Sequence, residues 1–255
     1  MKENLNFDFS ENVAFIFGGA GGIPAEIAMS LGKRGAELCL FDINLEALER
    51  TSNKLEKEHI KVKTYVTDLT DEESIKKSVD KAMNESGKVD ILINGASVIT
   101  RKPIFDLSPH EWNKTLAINL TGTYLTCRLV GKIMAQRGYG RIMNFTSQNS
   151  SGARNNADYA VSKAGIESLT RSLAVELREL DVDVTVNAIS PPPTITELWK
   201  RGRSEDQINT ALEQKTVFET GEMTRVILFL CSKESGSISG NILTHKHNLF
   251  RVPNR

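Results

Sequence analysis

The sequence predicts a doubly wound α/β domain, a single sheet of seven parallel strands with helices on both faces. Three observations lead there. Short runs rich in Val, Ile, Leu and Phe alternate with longer segments of 3.6-residue periodicity almost from end to end, as repeated βα units do. The short runs are continuously apolar, which fits strands covered on both faces. The first of them leads directly into FGGAGGIPAEIA, a glycine-rich turn opening a helix.

Taken in order, strands are expected at 13–17 (VAFIF), 37–41 (ELCLF), 61–67, 89–94 (VDILIN), 141–147 (RIMNFTS), 183–190 and 240–245. Helix starts are marked between them. Thr70 with Glu73, and Ser108 with Pro109 and Glu111, give N-cap, first-turn proline and capping-box signals. Long helices are expected at about 110–137 and 158–180. No repeat, low-complexity tract or Pro/Gly/Ser linker divides the 255 residues, so the chain reads as one domain over 1–255. Pro191 to Thr216 is polar and charged after a triple proline, and a mobile flap over the substrate is expected at about 191–216.

Composition excludes several function classes. Lys plus Arg and Asp plus Glu are 32 each, so no net field steers the protein toward nucleic acid or an anionic membrane; small molecules, or further copies of the chain, are the expected partners. Cys39, Cys127 and Cys231 sit in apolar contexts without metal or dithiol spacing and read as buried thiols in a reducing cytosol. The start MKENLNFDFSEN lacks a basic region followed by an apolar one, and no run approaches the roughly 18 apolar residues of a membrane span, so a cytoplasmic protein is expected. His245 and His247 are two apart with no further ligand in view, so no metal is expected.

The glycine-rich turn places backbone N–H groups and a helix dipole where they can hold a pyrophosphate. Twenty residues beyond Gly22, at the end of the second strand, Asp42 stands where a carboxylate accepts hydrogen bonds from ribose hydroxyls. No cation follows Asp42 immediately, and Gly21 precedes Gly22, so a 2′-phosphate would meet an uncompensated anion; NAD is expected over NADP. Further on, DYAVSKAG sets Tyr159 four residues ahead of Lys163, on one face of a helix and within electrostatic reach.

In the order of these motifs the chain resembles the short-chain dehydrogenase/reductase family, in its short-subunit branch, from about Phe9 to Thr244. The glycine motif with Gly18, Gly22 and Ile23 comes first, then Asp68 in TDLTD, Asn94 in LINGAS, Asn119 in AINLTGTYLT, Ser147 in GRIMNFTS, and Tyr159 with Lys163. The resemblance implies a Rossmann-type fold, a tetramer, and an NAD(H)-dependent oxidoreductase that moves hydride between the nicotinamide and a secondary alcohol or ketone. By the same resemblance Asp68 and Leu69 border the adenine, Asn94 lies beside the cofactor, and Ile189 and Thr196 hold the nicotinamide carboxamide. Asn119, Ser147, Tyr159 and Lys163 look like the catalytic tetrad.

That chemistry explains the Tyr159 and Lys163 spacing. A phenol ionises near pH 10, so making it a base near neutrality takes about 3–4 kcal/mol of preference for the phenolate, which a neighbouring ammonium and the positive nicotinamide supply. Ser147 would hydrogen-bond the same substrate oxygen. Lys163 would also bind the nicotinamide ribose, and Asn119 would hold a water that passes protons from Lys163 to solvent.

Several family positions are altered. Pro24 replaces the third glycine of the cofactor loop, Gly95 the second Asn of an NNAG motif, Ser97 its Gly, and Pro192 the glycine after Pro191, while HKHN replaces a VDGG-like end. Pro24 brings cofactor affinity into question and keeps open a rival reading, a catalytically silent NAD-binding scaffold. The interval from Ser147 to Tyr159 is one residue shorter than the family's, which leaves Thr146 a share of the serine's role. TRKPIFDL follows the fourth strand and resembles the loop of family members acting on keto sugar acids. Arg101 there and Arg154 on the neighbouring loop are expected to converge on the acid group of a small polar substrate such as a sugar acid. Lys200, Arg201 and Arg203 read as a solvated flap, with substrate binding as the alternative.

Overall fold

A computed structural model describes residues 7–214, 216–218 and 220–244. The strands are β1 (Val13–Phe17), β2 (Glu37–Asp42), β3 (Val62–Val66), β4 (Ile91–Asn94), β5 (Tyr139–Phe145), β6 (Asp183–Ser190) and β7 (Ile242–Thr244). They form one seven-stranded sheet in the order β3-β2-β1-β4-β5-β6-β7, with every pair parallel. The order reverses between β1 and β4, and in such sheets ligands bind in the crevice beyond the carboxyl ends at that switch point.

The strands are apolar throughout because both faces are covered. Along β1, Ala14 and Ile16 pack into one core with Ile27, Leu31, Leu40 and Ile227, while Val13, Phe15 and Phe17 pack into the other with Phe41, Val79, Leu92 and Val130. The period of two sends alternate side chains to opposite faces. The covering helices are α1 (Gly22–Gly32), α2 (Leu45–Lys57), α3 (Glu72–Ser86), α4 (Pro109–Leu116), α5 (Gly122–Arg137), α6 (Ala157–Glu179), α7 (Glu197–Lys200), α8 (Glu205–Glu213) and α9 (Thr224–Cys231). Among the described residues no helix is long and apolar enough to cross a membrane.

Local departures from the sequence expectation have local causes. Asp71, not Thr70, caps α3 by accepting from Glu73 N; Thr70 instead donates its hydroxyl to Asp68. The Ser108, Pro109 and Glu111 box is present in full. The expected helix over 110–137 is two helices joined by a π-helical turn, Ala117–Thr121, a widening that recurs at functional sites. The segment expected as a flap contains α7 and α8, each N-capped by a hydroxyl, Thr196 and Ser204. The three cysteines are free and buried, and burial pushes their thiols up to about 11 for Cys39 and about 12 for Cys127 and Cys231. Both His245 and His247, the HKHN run, and the last residue of the expected 240–245 strand lie outside the described residues.

Candidate active site

Two adjoining cavities open beyond the carboxyl ends of the strands. The first, of about 360 Å³, is lined by the turn after β1, the end of β2, and the loops after β3 and β4. Gly18 has φ +74°, and a Cβ there would lie 2.5 Å from Ala96 N, so only glycine lets the two loops touch. Helix α1 starts at Gly22 with no side-chain cap, leaving the Gly22 and Ile23 N–H groups at the cavity; Pro24 brings none, and Ala25 N is bonded to Gly21 O. Asp42 lines the same cavity, its carboxylate steadied by Ala20 N at 3.3 Å and Asn44 N at 3.1 Å. Asp68, Leu69 and Ile43 add an acid and an apolar wall. This cradle suits a dinucleotide: a helix N-terminus for phosphates, a carboxylate for a ribose, an apolar slot for a base. The one cation among its described lining residues is Lys163.

Two of the expected cofactor residues do not line it. The Asn94 side chain turns into the core, where it donates to Asn144 Oδ1 at 2.9 Å and accepts from Thr126 Oγ1 at 2.7 Å; the lining begins at Gly95. Ile189 is fully buried in the sheet, and its carbonyl accepts from Thr146 N. Both sit within strands, so their side chains serve the layers. Thr196 does line both cavities, and a Cβ on Gly22 would approach its Cγ2 to 2.7 Å, so the base of the flap rests on the glycine turn.

Pro24 and Gly95, two departures from the family pattern, fit each other. A Cβ on Gly95 would lie 2.3 Å from Pro24 Cγ, so the proline ring fills the space that an Asn at 95 would need.

The second cavity, of about 420 Å³, shares Tyr159, Thr146 and Ile23 with the first and continues over Ser147, Asn149, Asn156 and the flap. Tyr159 therefore stands between them. Its phenol is pushed above the ordinary tyrosine range by burial, opposed by the Ser147 hydrogen bond, the Arg101 charge and the Ser97 hydroxyl. Ser97, in place of the family's glycine, thus puts a hydroxyl in the same lining as the phenol. Ser147 Oγ accepts from Asn149 N at 3.2 Å, leaving its O–H free to donate. Thr146 is otherwise engaged, giving its hydroxyl to Glu167 Oε1 at 2.7 Å, so of these two neighbours it is Ser147 that offers a hydroxyl to the cavity. Lys163 Nζ lies 5.5 Å from the Tyr159 ring centroid and donates to Phe145 O at 2.9 Å; burial drops its pKa to about 7.

Asn119, in the π-helical turn, is completely buried and acts as a clamp. Its Oδ1 accepts from Val98 N at 2.8 Å and its Nδ2 donates to Val98 O at 3.0 Å and Ser162 Oγ at 3.1 Å. Its side chain fixes the loop after β4 against α6, and its main-chain carbonyl accepts from Thr123 Oγ1 at 2.7 Å.

The two expected substrate cations part company. Arg101 lines the second cavity, with the left-handed φ of 63°. Arg154 is exposed and lines neither cavity: the chain turns at Asn155, φ 60°, and enters the site with Asn156 instead. The second cation in the lining is Arg203, from the segment expected to be solvated, stacked on Trp199 with its guanidinium carbon 4.4 Å from the ring centroid. The WKRGR spacing, Trp199 with Arg203 four residues on, was the available signal. Lys102 pairs with Glu111 at 2.6 Å and is not among the residues lining either cavity.

A family model described as "Enoyl-(Acyl carrier protein) reductase" matches residues 18–246. The chain belongs to the short-chain dehydrogenase/reductase family. Like other short-chain dehydrogenases it is an oxidoreductase of CH–OH groups that works with a nicotinamide dinucleotide. It is 33% identical over 243 residues to D-threitol dehydrogenase of Mycolicibacterium smegmatis, covering 93% of each chain. It is 30% identical over 242 residues to 5-keto-D-gluconate 5-reductase of Escherichia coli K12, covering 93% of this chain and 94% of the other. Among solved structures, NAD⁺-bound xylitol dehydrogenase superposes with a TM-score of 0.84 at 28% identity, over 92% of this chain and 98% of that one.

Proposed function

We propose that this short-chain dehydrogenase is an NAD(H)-linked enzyme that interconverts a secondary alcohol and a ketone on a small polar compound bearing an acid group, of the sugar-acid kind. The observation that carries the reading is the place of Tyr159, at the junction of a dinucleotide-shaped cavity and a polar, arginine-lined one. When bound, the dinucleotide supplies the hydride acceptor or donor. Tyr159 holds the proton: as phenolate it takes the proton of the alcohol, as phenol it returns it to the forming alkoxide. Ser147 donates to the same oxygen. Lys163, beneath the tyrosine ring, favours the phenolate in its protonated form and is placed to reach a ribose. Asn119 keeps Val98 and the preceding Ser97 in register with the phenol.

Asp42 supports NAD. Its carboxylate borders the first cavity, and no Lys or Arg other than Lys163 is among that cavity's described lining residues, so a 2′-phosphate would find repulsion without a partner. Relatives of similar sequence, named for 5-keto-D-gluconate and for threitol, act on an acid and on a neutral polyol, and Arg101 favours the acid here.

Steady-state kinetics over paired hydroxy acids and neutral polyols, with Tyr159→Phe and Asp42→Ala beside wild type, test the reading. Tyr159→Phe should lower kcat at least about 10³-fold while NADH affinity stays within a few fold, and Asp42→Ala should narrow the preference for NAD over NADP. A wild type that prefers NADPH, or that turns over nothing in the panel, would overturn it, the second outcome favouring a silent NAD-binding scaffold.

A further inference from the structure

Arg101 and Arg203 lie 102 positions apart in the chain, yet their guanidinium groups meet at one atom. Arg101 Nη2 donates to Trp199 O at 3.4 Å, and Arg203 Nη1 donates to the same oxygen. Two like charges are thus held side by side over a single carbonyl. Neither arginine has an ion-pair partner among the described residues, and no Asp or Glu is among the described residues lining this cavity. Arg101 Nε is buried without a partner, as is Asn156 Oδ1, on a side chain 8% exposed that lines the same cavity.

This arrangement is unfavourable as pure architecture. Partly desolvated like charges repel, and a buried N–H without an acceptor forfeits its bond to water. Burial lowers the pKa of both guanidinium groups, and Arg101 lowers that of Arg203 further. The chain nevertheless holds both in place. Arg101 keeps a left-handed backbone, φ 63°, that an arginine rarely adopts. The flap glycine beside it, Gly202, has φ 73°, and a Cβ there would come within 3.1 Å of Arg101 Cδ. Arg203 is pinned by its stack on Trp199. A group that relieves the repulsion and accepts from the free Nε must be an anion, and an oxyanion has separate acceptor atoms for the two guanidinium groups.

We propose that Arg101 and Arg203 form an oxyanion subsite for the substrate, so that the flap, through Arg203, selects for charge. The proposal rests on the hydroxy-acid reading above and extends it: the acid group is read by two arginines from separate segments. Because the pair shares its cavity with Tyr159 and Ser147, the alcohol and the anion belong to one small molecule. A carboxylate and a phosphate ester offer the same chemistry to two guanidinium groups.

The test titrates malonate and inorganic phosphate into the full-length protein, with and without NADH, by calorimetry and thermal shift, against chloride at matched ionic strength. Saturable binding is expected, and the tighter of the two anions names the source. Arg203→Gln should weaken it at least tenfold. Gln207→Glu is the second variant: residue 207 lines the cavity and closes the capping box with Ser204, a role that Glu also performs, so the fold is kept while a negative charge is added to the lining that holds both arginines. It should weaken both anions likewise. Absence of saturable binding in wild type, or binding unmoved by both substitutions, would overturn the subsite. The two readings fail separately. Anion binding with no turnover of any hydroxy acid defeats the reaction and leaves the subsite, whereas turnover of neutral polyols without anion binding defeats the subsite and leaves the reaction.

Discussion

Arg141 and Arg101 are both drawn out of water at opposite ends of the strands of one sheet, and they differ in how fully they are paired. Arg141, near the start of β5, is completely buried and saturated. It donates to Ser232 O at 3.0 Å, to Gly140 O and Asp183 O at 2.9 Å, and to Asp183 Oδ2 at 3.1 Å, and it stacks on Tyr139 at 4.6 Å. Arg101, beyond the end of β4, makes one hydrogen bond among the described residues, at 3.4 Å, and leaves a buried Nε unmatched. A saturated cation belongs to the architecture: it ties β5 to β6 and to the turn after α9. An unsaturated one is held in readiness for something that arrives later.

The largest effect should come from breaking the saturated end. Arg141→Met removes a charge whose partners are three carbonyls and a carboxylate, and the loss of unfolding free energy should be about 3–5 kcal/mol, measured by urea denaturation. A loss below about 1 kcal/mol would mean that the network is ornamental to stability and the contrast with Arg101 is empty.

At the opposite end of the strands, Gly95→Asn should cost about 2 kcal/mol, since its Cβ would meet Pro24 Cγ and the core allows little shift. Adding Pro24→Gly should restore most of the loss. A double-mutant cycle with no coupling would show that the two departures from the family pattern arose without reference to each other.

How much of this was legible in the sequence follows the range of the interactions. The strands were, because each is a continuous apolar run whose signal is local; β1 and β6 fall on the expected ranges. The caps were nearly so, the one error being Asp71 for Thr70, neighbours with the same capping chemistry. The proximity of Tyr159 and Lys163 is legible too, because an i,i+4 pair on a helix is also local. What failed depends on contacts between distant segments. Arg203 sits in a run that looks like any solvated helix-and-turn, and only the approach of a loop 98 residues earlier to Trp199 gives it a place in the cavity. Arg154 and Asn156 are two residues apart on one loop, and a left-handed turn between them decides which enters. Pro24 read as a liability until Gly95 was beside it.

Lys163 shows what readiness costs at the functional end. Its pKa falls from 10.5 to about 7 on burial, so between those pH values the unfolded chain holds a proton that the folded one lacks. Stability therefore rises with pH across that window, and the full penalty is present below it. Lys163→Met removes the penalty but leaves Phe145 O without its donor, so the protein without cofactor should gain about 1–3 kcal/mol at pH 7 while losing activity. The gain should shrink as pH approaches 10.5. A variant no more stable than wild type at pH 7 would place the ammonium in a better-solvated setting than its burial indicates.

The smallest effect separates Arg101 as an electrostatic neighbour of Tyr159 from Arg101 as a ligand for substrate. Its charge is among the influences that hold the buried phenol down, whereas Arg203 is not. With Tyr159 as the proposed base, the oxidation rate should rise with pH as the phenolate forms, so removing a cation that favours the phenolate should move the rise to higher pH. The displacement slows the reaction on the acid limb of the profile and leaves the alkaline plateau unchanged. Arg101→Gln should show that displacement even on a neutral polyol, where no substrate anion is bound; Arg101→Lys should keep the wild-type midpoint, and so should Arg203→Gln. Unfolding free energy should change little in Arg101→Gln, because the side chain gives up one long hydrogen bond and an unmatched buried N–H together. If the midpoint of the pH profile stays where it was, the guanidinium acts on the substrate alone, and the phenol takes its help from Ser147 and the residues around it.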